Sequence, residues 1–461
     1  MEALSKPDRK AMLYTLLESK PQLYSFVAVF LILFVTHQLF GIVVYPFDST
    51  TYWNLSTPAF IANFPDIVRG YVYAYLLFPI HFLTDAINDT DRIVFRVSTS
   101  AIYAYLLTGP IANFFLQCFA GRLTVIRRVI FAMLVIGVFP GLFLYPLSDM
   151  PAALALIIAI AFANSAKRKN WLAFMLFSGA AASAAYNIRT IYLFAFIALL
   201  FIIPFVFLRS KSWNARGLGM VAFILGAFFV ALPQMTINKR IHNVATPLVF
   251  ATVKGKSLMA TQLYWGIAIQ RYETYNGGDT PAPSLYYRDP AGIALRSLNE
   301  SLFTGDPSMG GYIALVAKHP VQFLGIYGRH FINGIDVRDG LVYVTKPSIN
   351  KSVVAFLCYS LFFFGALILC TRRKPRWIEV AYLAPLLLPV LAIIPGAVET
   401  RFFMPLYLVL FGAIATQFEW SAFSTLLKKY WLPILFAYTL LAASFLAITT
   451  AAMACISYSL P

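Results

Sequence analysis

A chain of 461 residues that is 60% hydrophobic and only 12% charged, with a mean hydropathy of +0.74, leaves too little polar surface to cover a soluble globular fold. A formal net charge of +17 would point a soluble protein toward nucleic acid, but the basic residues here stand in short clusters between apolar segments. That is the positive-inside pattern of a membrane protein, and it argues against a nucleic-acid partner.

The stretch from Met1 to Lys20 is polar and charged. The apolar run behind it is too long for a signal-peptide core and lacks a small-residue cleavage site, so the first span is expected to be retained. At about twenty apolar residues per crossing, segments near 24–44, 94–119, 128–147, 151–166, 171–188, 190–208, 217–237, 351–370, 377–396, 401–418 and 431–456 qualify. The expected fold is therefore an all-α polytopic membrane protein of about eleven transmembrane helices. Under this count the basic clusters all fall on one side, which the positive-inside rule assigns to the cytoplasm. They are Lys6, Arg9, Lys10 and Lys20; Arg122, Arg127 and Arg128; Lys167, Arg168 and Lys169; Arg209, Lys211 and Arg216; Arg372, Arg373, Lys374 and Arg376; and Lys428 and Lys429. Residues 69–86 are apolar but short and hold Pro79 and His81, so they read as an interfacial or re-entrant segment. The chain then divides into an amino-terminal membrane module, 1–237, with a first outer loop at 45–93; a large outer loop, 238–350; and carboxy-terminal helices, 351–461. Cys118, Cys358, Cys370 and Cys455 lie in or beside apolar spans without metal spacing and read as core residues.

The informative charges collect on the outer face. Asp48 lies at the outer end of the first apolar segment, followed by the interfacial aromatics Tyr52 and Trp53. A carboxylate at the edge of hydrocarbon is costly unless solvated, paired or working; the plainer alternative is a cap on a short helix over Ser49 to Asn54. Asp149 occupies the turn Ser148-Asp149-Met150-Pro151, which also reads as a helix start. Arg189 follows Asn187-Ile188, and Glu399 and Arg401 close the last outer turn. Arg189 and Arg401 run against the positive-inside trend. An anionic ligand such as a phosphate would account for them, since guanidinium matches phosphate oxygens in a fork; snorkelling or a local Glu399–Arg401 pair would account for them too. In the large loop, Arg288 and Asp289 beside Tyr286 and Tyr287 could hold a sugar, although Asp-Pro and the Gly-Gly of Tyr275-Asn276-Gly277-Gly278-Asp279 also fit turn chemistry. Residues 312–333 read as one helix along the membrane surface. No glycine-rich phosphate loop, paired-aspartate motif, nucleophile elbow or histidine metal spacing occurs. No metal site or cofactor is assigned, although Asp48, Asp149 and Glu399 could converge on a divalent ion.

Several of these segments together resemble a known family. Phe47-Asp48 with Tyr52-Trp53, Ser148-Asp149-Met150-Pro151, Asn187-Ile188-Arg189, His319-Pro320-Val321-Gln322-Phe323-Leu324 and Glu399-Thr400-Arg401-Phe402-Phe403-Met404-Pro405 are similar to the GT-C superfamily of membrane glycosyltransferases. The branch is that of protein O-mannosyltransferases, the lipid A aminoarabinose transferase and O-antigen-modifying glucosyltransferases. The resemblance covers most of the chain as topology, through short motifs. It departs at Ser49, where members often carry the second acid of an Asp-Glu pair, and in having no large carboxy-terminal soluble domain. It implies transfer of a sugar from a polyprenyl-phosphate donor to a hydroxyl acceptor on a glycan or lipid, in a bacterial inner membrane, at a site facing the periplasm. Asp48 would then be the base, with Arg189, Arg401 and Arg69 on the donor phosphate and Asp149, Glu399, Tyr52, Trp53, Arg288 and Asp289 in support. A lipid-linked glycan flippase should instead carry polar groups near the midplane of several spans. An O-antigen polymerase or ligase shares the outer loop and the outer arginines and stays open as an alternative.

Overall fold

The computed structural model describes residues 20–167, 170–253, 256–273, 285–299, 307–338, 351–371 and 376–458. Lys6, Arg9, Lys10, Arg168, Lys169, Arg372, Arg373, Lys374 and the Tyr275 to Asp279 stretch lie outside the described residues. The amino-terminal part contains α1 (Pro21–Phe40), α2 (Phe47–Leu55), α3 (Val72–Ala86), α4 (Ile93–Phe119), α5 (Val125–Val138), α6 (Asp149–Asn164), α7 (Trp171–Ile188), α8 (Thr190–Phe207) and α9 (Trp213–His242). The loop region adds a ribbon of β1 (Thr252–Val253) and β2 (Lys256–Ser257), then α10 (Leu258–Ala268), β3 (Ile269–Glu273), β4 (Leu285–Arg288), α11 (Pro290–Ser297), α12 (Met309–Lys318) and α13 (Pro320–Ile335). The chain ends with α14 (Lys351–Thr371), α15 (Trp377–Ile393), α16 (Met404–Gln417), α17 (Trp420–Met453) and β5 (Ile456–Ser457).

This is a multi-pass helical membrane protein. Among the described residues seven helices are long and apolar enough to cross a membrane: α1, α4, α7, α8, α9, α14 and α17. Their outward faces carry Leu31, Phe201, Phe229, Leu357 and Phe436, all exposed, an arrangement that costs little in lipid and much in water. Helices also occur at the other four expected places, but α5 has 14 residues, α6 has 16, α15 has 17 and α16 has 14. These fall below the roughly twenty that a crossing takes, so among the described residues seven of the expected eleven spans have full length. The physical reason is position. α6 and α16 are buried over most of their lengths, and they stop short where their first turns build the cavity described below. α3, with 15 residues and Pro79 inside it, packs Tyr73, Leu77 and His81 inward and is also too short to cross. α7 and α9 lie closer than side chains would permit: a Cβ on Gly179 would fall 1.8 Å from the Phe223 carbonyl oxygen, the small-residue device of membrane helix pairs.

The loop region departs from an all-α reading. β3, β4 and β5 form a three-stranded antiparallel sheet, with Tyr286 opposite Ser457, so the last strand of the chain closes onto the loop region. The expected helix over 312–333 is two helices. Pro320 disfavours the helical region for the residue before it, and His319 accordingly sits at φ −130°, ψ 52° between α12 and α13. Tyr312, Leu315, Phe323 and Ile326 pack with Leu263, Ile267 and Leu295 into a small core of their own. These side chains therefore hold the loop region together, while Ile313, Val321 and Leu324 of the same two helices are exposed.

Candidate active site

Asp48 is in the first turn of α2, whose N-cap is Pro46, and makes no side-chain cap bond. The capping alternative is thereby set aside. Both of its oxygens are taken by guanidinium groups from distant parts of the chain: Oδ1 accepts from Arg69, and Oδ2 accepts from Arg401 Nη2 at 2.8 Å. Arg69 is placed by the turn before α3, where Asn187 Oδ1 accepts from the Val72 amide at 2.9 Å and Asn187 Nδ2 donates to Gln234 Oε1 at 3.0 Å. Gly70 permits that closeness, since a Cβ there would lie 2.0 Å from the Asn187 carbonyl oxygen.

Asp149 opens α6, where a negative charge is also favoured by the exposed amides of a helix N-terminus. Ser148 is the N-cap residue but makes no cap bond; its hydroxyl accepts from Arg189 Nη1 at 3.5 Å. Asp149 pairs with Arg189 Nη1 at 2.5 Å and lies 3.6 Å from Arg401 Nη1. The Phe402 ring lies beneath both cations, 4.9 Å from the Arg189 guanidinium carbon and 5.5 Å from that of Arg401, adding cation–π attraction. Arg401 leads into α16 through a 3₁₀ turn, Thr400–Phe403, and its Nη2 is also 2.8 Å from Glu399 Oε2. One guanidinium therefore serves three carboxylates.

The turn bearing Glu399 is clamped by β3, which charge reasoning along the sequence passed over. The Tyr272 amide donates to the Val398 carbonyl at 2.9 Å, and the Thr400 amide donates to Glu273 Oε1 at 3.1 Å. Glu273 in turn accepts from Arg271 Nε at 2.9 Å. The signal was the polar run Gln270-Arg271-Tyr272-Glu273 directly after the apolar Ile267-Ala268-Ile269, with Tyr272 itself in the cavity wall.

Burial alone would raise the Asp48 carboxyl, but Arg401, Arg69 and Arg189 outweigh it and hold Asp48 well below the usual carboxylate range. Glu399 goes the other way. Burial, opposed by Arg401 but aided by the charges of Glu273, Asp48 and Asp149, pushes it up to about 7. Burial likewise keeps the Tyr272 hydroxyl protonated far beyond its ordinary range.

All of these groups but Glu273 and Glu399, the latter buried behind Arg401, border a cavity of about 560 Å³. Asp48, Arg69, Asp149, Arg189, Arg401, Tyr272 and Gln262 supply its polar wall. The rest is apolar: Ile191, Leu193 and Phe194 of α8, Leu258 and Met259 of α10, and Pro389, Ala392 and Ile393 of α15. Other expected site residues lie elsewhere. Tyr52 is buried with the Arg69 guanidinium 5.5 Å from its ring, outside the wall. Trp53 stacks on His81 at 4.1 Å within the core. Asp289 caps α11 through the Gly292 amide at 3.1 Å and pairs with Arg329 at 2.7 Å, while Arg288 borders a separate depression with Pro290 and Cys455. Neither belongs to the cavity, because Asp289-Pro290 is spent on starting a helix. Asp48, Asp149 and Glu399 are each paired with an arginine, and among the described residues no group of three or more acidic, histidine or cysteine side chains is placed to share a metal ion.

The arrangement is thus three guanidinium groups converging with two carboxylates on a mostly apolar cavity, suited to binding an anion that carries an apolar chain. No protein-family model, curated protein or solved structure matches the chain at a significant level.

Proposed function

We propose that the cavity is the active site of a GT-C-type glycosyltransferase that moves a sugar from a polyprenyl-phosphate donor to a hydroxyl of a glycan or lipid acceptor. The observation that carries this reading is the composition of one cavity wall: Arg69, Arg189 and Arg401 beside Asp48, continued by the apolar side chains of α8, α10 and α15. Guanidinium groups suit a phosphate, and an apolar groove suits an isoprenoid chain. The shorter helices α5, α6, α15 and α16 complete an eleven-pass topology in this reading. The outer face is that of Asp48 and Arg401, in a bacterial inner membrane with the cavity toward the periplasm.

In the transfer, the acceptor oxygen attacks the anomeric carbon and its proton passes to Asp48. The bond from that carbon to the phosphate oxygen breaks, and the electron pair leaves on the phosphate. The phosphate is a good leaving group, so stabilisation of its growing charge by fixed arginines matters more than a proton donor. Asp48 is a weak base while two arginines hold it; an arriving phosphate competes for Arg401 and restores part of its basicity. The test is purified protein in detergent with labelled polyprenyl-phosphate sugars and candidate acceptors. Label on the acceptor is the expected outcome. Translocation of donor across liposomes without transfer would overturn the reading in favour of a flippase.

A further inference from the structure

Arg401 is over-committed. Its Nη2 lies 2.8 Å from Asp48 Oδ2 and 2.8 Å from Glu399 Oε2, and its Nη1 lies 3.6 Å from Asp149 Oδ2. A phosphate can reach this guanidinium only by displacing a carboxylate. Asp48 keeps Arg69 when that happens, and Asp149 keeps Arg189. Glu399 is different: its ion pair among the described residues is with Arg401, and it is only 2% exposed. The groups facing it from other elements are mostly acidic: Asp48 of α2, Asp149 of α6 and Glu273 of β3, the last already shared by Arg271 and the Thr400 amide. The Tyr272 hydroxyl also faces it and stays neutral.

The charges give the same answer. Arg69, Arg189 and Arg401 balance Asp48, Asp149 and Glu399 when all six are ionised, so an added anion leaves one buried negative charge uncompensated, which is costly in a low-dielectric site. We propose that anion binding in the cavity is coupled to uptake of one proton by Glu399, which releases Arg401 to the incoming phosphate. The inference rests on the donor-phosphate reading of the cavity and assigns Glu399 as a positioning residue acting through Arg401. Glu399 is already pushed up to about 7 in the empty site, and losing Arg401 to the anion raises it further.

The direction with pH follows from linkage. Below about pH 7 Glu399 already holds its proton and binding takes up none; above it each anion brings one proton, and affinity falls by up to about tenfold per pH unit. The probe is dioctyl phosphate, a diester that keeps a single charge throughout, so protons taken up belong to the protein. Calorimetry on the full chain in detergent, in two buffers of different ionisation enthalpy, should find almost no uptake near about pH 6 and close to one proton per anion near about pH 8.5. Glu399→Gln should show none at either pH, with an affinity that no longer falls. If that variant does not fold, Glu399→Asp should move the pH midpoint of uptake. Binding with no uptake at the higher pH, unchanged uptake in the Gln variant, or an unmoved midpoint in the Asp variant would each overturn the coupling alone. Absence of binding to the unaltered protein at any pH would overturn the donor-phosphate reading as well.

Discussion

Two of the clusters of buried charge among the described residues are built from the same chemistry to different ends. In one, Asp336 at the end of α13 accepts from the Arg338 amide at 3.1 Å and from the Tyr359 hydroxyl at 2.5 Å, and pairs with Arg338 Nη2 at 2.8 Å. Arg338 also donates to Thr449. Every partner is fixed, and the result ties the loop region to α14 and α17. In the other, Arg401 is divided among Asp48, Asp149 and Glu399 at the edge of an open cavity. The first cluster has nothing left to exchange; the second has one cation shared by three anions and space for a ligand to rearrange them. A buried ion pair is weak evidence for stability in itself. What separates a staple from a site is whether the partners are shared and whether something can enter.

The comparison breaks most sharply at Asp48. Asp48→Asn keeps size and one of the two acceptor oxygens but cannot take a proton, so transfer by the folded protein should fall by the roughly hundred- to ten-thousand-fold that a positioned base contributes, with donor binding retained. Asp48→Glu should recover little, since a displacement of about an ångström can cost about a hundred-fold. Near-normal transfer by a folded Asp48→Asn protein would remove Asp48 from the chemistry and make the two clusters alike.

The staple should fail in the opposite manner. Asp336→Ala leaves Arg338 buried without its carboxylate, and breaking such a pair costs about 3–5 kcal/mol. Thermal unfolding in detergent should show the loss, while the transfer rate of whatever protein remains folded should be little changed. A large loss of rate at unchanged stability would show that Asp336 serves the site.

How much of this could be read from the residues alone divides along physical lines. Apolar segments and basic clusters are local signals, so the helices and their positions were legible. So was the grouping of Asp48, Arg69, Asp149, Arg189, Glu399 and Arg401, because a charge at the end of an apolar run stands out wherever the chain later carries it. The lengths of α5, α6, α15 and α16 were not legible: hydropathy registers that a segment is apolar, and a helix buried among other helices is as apolar as one in lipid. β3 was missed because its partners, Leu285 to Arg288 and Val398, are remote in sequence and the strand is only 5 residues long. Trp53 and Asp289 were misplaced because an aromatic or an Asp-Pro reads the same in a core, a cap or a site.

Removing one arginine from the cavity should have a smaller effect than removing the base. Arg69→Ala, Arg189→Ala and Arg401→Ala each delete a charge-assisted contact of about 1.5–3 kcal/mol, roughly ten- to a hundred-fold in donor use. Arg401→Ala should also lower the melting temperature most, since it strips a partner from three carboxylates. Lysine should rescue each only in part, lacking the fork. Donor kinetics that are unchanged in all three folded variants would place the phosphate elsewhere.

The smallest effect expected is on stability against pH, and here the two clusters' neighbours separate by sign. Glu399 is raised to about 7 in the folded protein, above the roughly 4.3 of an unfolded glutamate. A group shifted upward binds its proton more tightly when folded, so its contribution is complete below about pH 4.3 and is lost as pH rises to about 7. Asp48, held below its ordinary range by arginines, contributes in the reverse sense: its share is present above about pH 3.9 and lost as pH falls. Between about pH 5 and about pH 7, then, Glu399 is expected to tilt the melting temperature downward with rising pH, against the opposite tilt of His330, whose pKa burial lowers to about 4. Glu399→Gln should remove that downward share, and Asp48→Asn should weaken it, since the Asp48 charge is one of those that raise Glu399. A downward share that survives in Glu399→Gln would mean that the proton is held by another group, and the division between a fixed and an exchangeable cluster would have to be drawn without Glu399.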